Sequence, residues 1–542
     1  MNHPPYLDRL LDRPGAGFHV AFACVQLALF AATIMVGVVP TRSHPYDTVF
    51  FADAGWRAVS GQRPHVDFYC PYGAGLFWLL QTGQWLSGGT LDGIGYVHAL
   101  AGLVVGVWGY VLLRKGPAVL ALSAAVLLTL LCVAPVSLGY SFSVTSQAMF
   151  YNRFGFAFLG LLILECFPNS ARLEARHGGL WAGLSTGAVC ALLLFLKASY
   201  FMVAVVLALA SLLWRKIQWQ RLAGIGAGFL IAALPFLVYI RFDVGGMFAD
   251  LRMAGLARLN PLSPAEVMTL FTQDIMALFA LLALGFILGL ERTSAGSHWF
   301  WRWRFSLLSL ALYTAGDLLM ATNAQPSRLP LTELLALLLA CRFLELAAAG
   351  AKGSALPKAV SFALAVIALG ITVPNAATDA LALVDGIRLK RHYNAQYAYL
   401  VPISGFKPWI VLDDYAYPGA TVNTGATLVP YLTDGVALLK QQFSPGERVA
   451  TFDGYNPFPY LLQIPPPHGG VAAAGYGIVF NDLHHPSADA YFGNADIVMY
   501  PKQSALGEDR FAGLEKTYGA DLARRFTLSA ESSRWRLYRR NP

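Results

Sequence analysis

The feature that most constrains the fold is a series of apolar runs that recurs from residue 18 to residue 374. A helix needs roughly 20 apolar residues to cross the hydrocarbon core of a bilayer. Only 13% of the 542 residues are charged, whereas a soluble globular chain carries about 25%. The chain is therefore predicted to be a polytopic α-helical membrane protein.

We predict eleven membrane spans and take their direction from the basic residues between them, because Lys and Arg accumulate in cytoplasmic loops. The segment 73–87 is too short to cross and is rich in Trp and Gln, so it is predicted to be a juxtamembrane helix. If it crossed instead, Arg114 and Lys115 would lie outside. The predicted spans are 18–40, 92–113, 117–137, 154–168, 179–196, 199–214, 222–241, 271–290, 305–321, 329–347 and 357–374.

The composition changes at residue 375, after which no run reaches membrane length. We therefore predict a transmembrane domain over 1–374, with a first outer loop at 41–91, and an extracytoplasmic α/β domain over 375–542. In that domain, 447–454 and 495–501 have the pattern of buried strands. The segment "SRWRLYRR" (533–540) alternates as an edge strand does, and "DRFAGLEKTYGADLARRF" has helical spacing.

The net charge of +8 follows from basic cytoplasmic loops and does not indicate a nucleic-acid partner. The six cysteines form no CxxC pair, and five of them lie in or beside apolar runs. Frequent Ala, Gly and Leu indicate a bacterial origin. The expected location is thus the bacterial inner membrane, in a multi-pass arrangement with a cytoplasmic amino terminus and a periplasmic carboxy-terminal domain.

The first outer loop contains the densest set of polar and aromatic residues, "SHPYDTVFFADAGWRAVSGQRPHVDFYCPYG". Asp47 follows the first span by a few residues, and a carboxylate at the membrane surface is costly unless it is solvated or used. One interpretation is that Asp47 caps the helix that begins there. The other is a functional carboxylate, because Asp53, His65, Asp67 and Tyr72 follow within the same loop.

This loop resembles the first outer loop of the GT-C glycosyltransferases, which use polyprenyl-phosphate sugars; protein O-mannosyltransferases and the lipid A aminoarabinose transferase are examples. The resemblance lies in an acid after the first span, an amphipathic helix, "GxxPxxDF" and "PYG", and in the many spans with an outer carboxy-terminal domain. Thr48 stands where relatives often carry a second acid. The resemblance implies that Asp47 is the catalytic base.

Sugar transfer from a lipid phosphate also requires cations or hydrogen-bond donors around the leaving phosphate. Lys197 lies in a nearly apolar run and is predicted to bind phosphate, together with Arg153. Further predicted substrate contacts are Asp53, His65, Asp67, Tyr72, Asn152, Asn323, Gln325 and Arg328. Anchoring at the membrane interface explains Asn152 and Arg153 equally well, and a polar turn explains Asn323, Gln325 and Arg328 equally well. Arg252 and Arg258 are predicted to meet lipid head groups, with contact to the donor phosphate as the alternative.

We therefore predict a membrane glycosyltransferase whose partners are a polyprenyl-phosphate-linked sugar, the bilayer, and an extracytoplasmic glycan, lipid or protein acceptor. No cofactor is certain. Asp47, Asp53 and Asp67 supply the oxygen ligands that Mg²⁺ or Mn²⁺ prefers, so a divalent cation stays open. The alternative is a transporter or flippase of lipid-linked glycans, for which paired mid-membrane charges and inverted repeats would be the signature.

Overall fold

Helices dominate the computed structural model, which describes residues 10–166, 179–214, 218–258, 263–292, 299–322, 328–349, 356–406, 409–413 and 424–542. The helices before residue 392 are α1 (Ala16–Val36), α2 (Pro45–Val59), α3 (Ala74–Leu86), α4 (Gly93–Leu113), α5 (Ala118–Val133), α6 (Phe150–Cys166), α7 (Leu180–Leu196), α8 (Ala198–Trp214), α9 (Trp219–Tyr239), α10 (Val244–Leu256), α11 (Pro264–Gln273), α12 (Ile275–Arg292), α13 (Trp299–Thr322), α14 (Pro330–Ala349) and α15 (Lys358–Arg391).

Each predicted span corresponds to one of these helices, and 73–87 corresponds to the short α3. Among the described residues, α1, α4, α9, α13 and α15 are long and apolar enough to cross a membrane. The pair α11 and α12, bent by 59°, makes a sixth candidate, and α5, α7 and α8 are shorter apolar helices. The polytopic fold is confirmed, and the number of eleven spans stays a prediction.

The helices at the periphery of the bundle expose more large apolar side chains than a water-exposed surface carries. Leu230 and Ile231 on α9 are 66% and 68% exposed, and Val20 and Leu27 on α1 are 62% and 63% exposed. In contrast, almost every residue of α6 is buried. Helix α6 is thus the centre of the bundle, with lipid-facing helices around it.

Helices α7 and α9 approach each other through two small-residue motifs, in which glycines four residues apart share a face. A Cβ on Gly183 or Gly187 would lie 2.2 Å from the Arg221 carbonyl oxygen or 2.0 Å from that of Ile225. A Cβ on Gly228 would lie 2.1 Å from the Leu184 carbonyl oxygen. Such close backbone packing is how membrane helices associate without a hydrophobic driving force.

Helix α15 runs unbroken from Lys358 to Arg391, so the predicted domain boundary at residue 375 falls inside a helix. At 1.5 Å per residue a helix of this length is about 50 Å long, which exceeds the hydrocarbon thickness of about 30 Å. The change in composition therefore marks polar residues in a continuing helix rather than a linker between two folds.

The carboxy-terminal part is an α/β unit, as the sequence predicts. Strands β1 (Ala398–Leu400) and β2 (Ile410–Leu412) pair antiparallel. Strands β3 (Val449–Thr451), β4 (Ile497–Pro501), β5 (Phe526–Glu531) and β6 (Trp535–Arg540) form a sheet in the order β3-β4-β6-β5. The prediction of an edge strand at 533–540 is wrong, because β6 pairs with β4 on one side and β5 on the other. The helices of this unit are α16 (Gly425–Gln442), α17 (Phe458–Leu462), α18 (Ala488–Phe492) and α19 (Glu508–Arg525).

The carboxy-terminal unit packs directly on the first outer loop. The indole N–H of Trp56 donates to the Ile464 carbonyl at 2.8 Å, and the Gln62 amide donates to the Pro466 and Pro467 carbonyls, each at 3.0 Å. Tyr69 exchanges backbone hydrogen bonds with the chain at 470–472. The two parts of the chain therefore build one continuous surface.

Candidate active site

Asp47 lies in the first turn of α2 and does not cap it, because the N-cap residue is His44. One carboxylate oxygen accepts a hydrogen bond from the Met149 backbone N–H at 3.0 Å. Asp47 is partly buried, and desolvation raises its pKa to about 6, against the lowering effect of that hydrogen bond. A carboxylate with this pKa is ionised at neutral pH and still basic enough to take a proton.

Three tyrosines surround Asp47 and come from three distant parts of the chain. Burial raises the pKa of Tyr72, Tyr151 and Tyr455, and the carboxylate charge of Asp47 raises it further. The rings of Tyr72 and Tyr151 lie 5.1 Å apart, centroid to centroid, and their hydroxyls hydrogen-bond. Tyr455 belongs to the carboxy-terminal unit and follows β3. Asp47 thus lies against an aromatic cluster formed by Tyr72, Tyr151 and Tyr455.

Lys197 lies at the same aromatic cluster. Its ammonium lies 5.0 Å from the centroid of the Tyr151 ring and donates to the Asn152 amide oxygen at 3.0 Å. Burial and the charge of Arg258 lower the pKa of Lys197 to about 7. Lys197 directly precedes α8, whose amino-terminal dipole favours an anion. The structure therefore brings together Asp47, Tyr72, Asn152 and Lys197, all of them predicted site residues.

Arg153 and Arg328 lie in a buried ion network instead. Both guanidinium groups bind Asp379, with Arg153 Nη2 at 2.5 Å and Arg328 Nη1 at 2.8 Å from Asp379 Oδ1. Arg328 Nε donates to Glu333 at 3.0 Å, and the Nε and Nη1 groups of Arg153 donate to carbonyls at Leu131 and Val136. This geometry does not correspond to the predicted substrate contacts, because protein acceptors already occupy both side chains.

Asp53 is also neutralised within the protein. Its carboxylate pairs with Arg57 Nε at 3.2 Å, with both side chains almost fully buried. The same guanidinium donates to the Gly469 carbonyl at 3.1 Å and so ties α2 to the carboxy-terminal unit. Asp53 therefore has a structural partner rather than an open face toward substrate.

His65 and Asp67 hold the outer loop together. His65 Nδ1 lies 2.9 Å from Asp250 Oδ2 on α10, and Asp67 accepts from the Arg63 backbone N–H at 2.7 Å. Among the residues that the structure describes, no group of three or more His, Cys, Asp or Glu side chains is placed to hold a metal ion. Asp53 pairs with Arg57, Asp67 accepts from the Arg63 backbone and Asp47 accepts from the Met149 backbone, so the three acids of the loop have separate protein partners.

Two predicted contacts, Asn323 and Gln325, lie outside the described residues. Sequence reasoning missed Tyr151 and Tyr455. The signal for Tyr151 was its place beside Asn152 in "MFYNRF", and that for Tyr455 was its place just beyond a buried strand in "TFDGYNPF".

Comparisons with known proteins come from structures alone, since no family model and no curated protein matches the chain. Two crystal structures of ArnT from Cupriavidus metallidurans are similar to it. The apo state has 11% identity over 96% of this chain and 97% of that one, with a TM-score of 0.45. The state bound to undecaprenyl phosphate has 14% identity over 97% and 98%, with a TM-score of 0.49.

The cryo-EM structure of arabinofuranosyltransferase AftD from Mycobacteria has 13% identity, covers 98% of this chain and 40% of that one, and has a TM-score of 0.41. ArnT and AftD are of the class that the first outer loop resembles. The likeness is distant in every case, so the function proposed below rests on the residues of this chain.

Proposed function

We propose that the protein is a membrane glycosyltransferase that moves a sugar from a polyprenyl phosphate to an acceptor hydroxyl. The observation that carries the proposal is the pair of groups around Tyr151. Asp47, a carboxylate with a pKa of about 6, and Lys197, a partly buried ammonium, lie at one aromatic cluster. A base and a phosphate-binding cation are the two charges that this transfer requires.

In the proposed reaction Asp47 accepts the proton of the acceptor hydroxyl as its oxygen attacks the anomeric carbon. The bond between that carbon and the phosphate oxygen breaks, and the electron pair leaves with polyprenyl phosphate, so the anomeric configuration inverts. Lys197 binds the phosphate, with Arg258 nearby, and Asn152 orients the ammonium of Lys197. Tyr72, Tyr151 and Tyr455 enclose the sugar.

The partners that follow are the lipid-linked sugar, the bilayer that carries it, and a glycan, lipid or protein acceptor outside the cytoplasm. One structural relative was solved with undecaprenyl phosphate, which makes that lipid the natural probe. The site would face the periplasm of a bacterial inner membrane, with the amino terminus in the cytoplasm.

Sugar transfer and lipid flipping give different products. We would reconstitute the full chain in proteoliposomes with radiolabelled mannose, glucose or arabinose esters of undecaprenyl phosphate and a bacterial envelope fraction as acceptor. A transferase releases undecaprenyl phosphate in step with label on the acceptor. If intact lipid-linked sugar moved between leaflets and no donor gave release of undecaprenyl phosphate, the protein would instead be a flippase.

The pH dependence of kcat/KM tests both charged groups together. In the free enzyme Asp47 must be ionised, so we expect kcat/KM to rise through a pKa of about 6. Lys197 must be protonated, so we expect kcat/KM to fall as the pH rises through a pKa of about 7. Arginine stays charged at all these pH values, so Lys197→Arg should remove the falling limb and keep the rising one.

The profile of kcat alone supplies the control for this assignment. Bound phosphate favours the charged form of Lys197, and its falling limb should therefore move to higher pH in kcat than in kcat/KM. A falling limb that is unchanged in Lys197→Arg would show that another group is responsible.

A further inference from the structure

Helix α10 is held to the first outer loop at its middle. The Asp250 carboxylate accepts from the Cys70 backbone N–H at 3.1 Å and lies 2.9 Å from His65 Nδ1. The Tyr69 hydroxyl lies 3.3 Å from the Asp250 carbonyl and 2.8 Å from the Val479 carbonyl of the carboxy-terminal unit. The outer loop and the carboxy-terminal unit therefore meet on this helix.

The carboxyl end of α10 is held by Asn481. Its amide N–H groups donate to the carbonyls of Leu256 at 3.3 Å and Ala257 at 3.1 Å, which are among the groups that a helix leaves without an internal partner. Its amide oxygen accepts from the backbone N–H groups of Leu483 and His484, at 2.9 and 2.8 Å. Asn481 is only 5% exposed, and both the N–H groups and the oxygen of its buried amide form hydrogen bonds.

The residue after this contact is Arg258. Its guanidinium donates to the Thr322 carbonyl at the end of α13, at 3.1 Å, and lies close enough to Lys197 for its charge to act on that ammonium. Arg258, a cation beside the phosphate-binding lysine, thus directly follows the residue whose carbonyl Asn481 holds.

We propose that Asn481 is a positioning residue that fixes Arg258 for the donor phosphate, so that the carboxy-terminal unit sets the affinity for the lipid donor. This inference rests on the proposed function. Asn481 itself touches neither sugar nor phosphate; it acts by holding the backbone from which Arg258 extends.

The test compares Asn481→Asp with Arg258→Ala in nanodiscs, with undecaprenyl phosphate as the probe. Aspartate keeps the oxygen that accepts from Leu483 and His484, but it cannot donate and its charge repels the two helix carbonyls. We expect Asn481→Asp to weaken binding on the order of 10-fold, the effect of one buried hydrogen bond lost. Asp482→Asn is the matched control, since Asp482 pairs with Lys516 inside the same unit, and it should leave binding unchanged.

A double-mutant cycle separates positioning from general destabilisation. If Asn481 acts through Arg258, Asn481→Asp should have no further effect on binding in the Arg258→Ala background. Additive losses, or unchanged binding in Asn481→Asp, would overturn the inference and leave the proposed function in place. Unchanged binding of undecaprenyl phosphate in Arg258→Ala would show that Arg258 does not contact the phosphate, and the inference would fail. If binding were also unchanged in Lys197→Met, the result would count against the proposed function itself.

Discussion

Asp47→Asn should lower kcat for sugar transfer by about 10²- to 10⁴-fold, the usual contribution of a general base. Asparagine has the same shape, and its oxygen is still able to accept from the Met149 N–H, but it cannot take a proton. Binding of undecaprenyl phosphate should stay within about twofold of wild type, because Asp47 does not hold the phosphate in the proposed mechanism. Turnover and binding would be measured on the same nanodisc preparation.

Asp53→Asn is the matched comparison, because it removes a carboxylate from the same helix. Asp53 pairs with Arg57, so its loss should lower the thermal unfolding temperature. Turnover per folded molecule should stay close to that of the wild type. Transfer at the wild-type rate by Asp47→Asn would refute the assignment of the base. A pronounced loss of phosphate binding would place Asp47 in the donor site instead.

Asp379→Asn should destabilise the protein by about 3–5 kcal/mol, the cost of breaking a buried ion pair on one side. Asp379 lies between Arg153 and Arg328, and Glu333 supplies the second negative charge. Its loss leaves two buried guanidinium groups with a single carboxylate. Thermal unfolding in detergent and the yield of monodisperse protein would measure the effect.

Asp385→Asn provides the control on the same helix. Asp385 pairs with Arg42 and with the exposed Arg388, and Arg42 also donates to the Ser143 carbonyl, so the expected loss is smaller than that of Asp379→Asn. The charge-balanced variant Arg153→Met with Asp379→Leu should recover much of the stability lost in Asp379→Asn, since Arg328 and Glu333 remain paired. A stable double variant that no longer bound undecaprenyl phosphate would show that Arg153 contributes to donor binding.

The helical part of the fold followed from hydropathy, because each apolar run must form its hydrogen bonds within one helix in a membrane. The extent of α15 did not follow, since polar residues after 374 are compatible with a helix that leaves the bilayer. Close packing of α7 on α9 had a readable signal in Gly183-x-x-x-Gly187 and Gly224-x-x-x-Gly228. The position of β6 inside its sheet had none, because alternation is common to edge and inner strands.

The candidate site was predictable where chemistry is local and unpredictable where partners are distant. Asp47 and Lys197 stand out because a charge beside apolar sequence is costly. Arg153 met the same criterion, but its partner Asp379 lies 226 positions away, and no local pattern reveals such pairing. Tyr455 was missed for the same reason, since the sheet that places it beside Asp47 forms from residues far along the chain.

The place of Tyr455 has a consequence for biosynthesis. The ribosome synthesises the first outer loop early. It synthesises Tyr455 only after α15, which enters the membrane first. A nascent chain therefore contains its proposed base and lysine well before the aromatic cluster is complete. The complete cluster, and with it the expected reactivity toward lipid-linked sugar, forms only when the last part of the polypeptide has folded against the first.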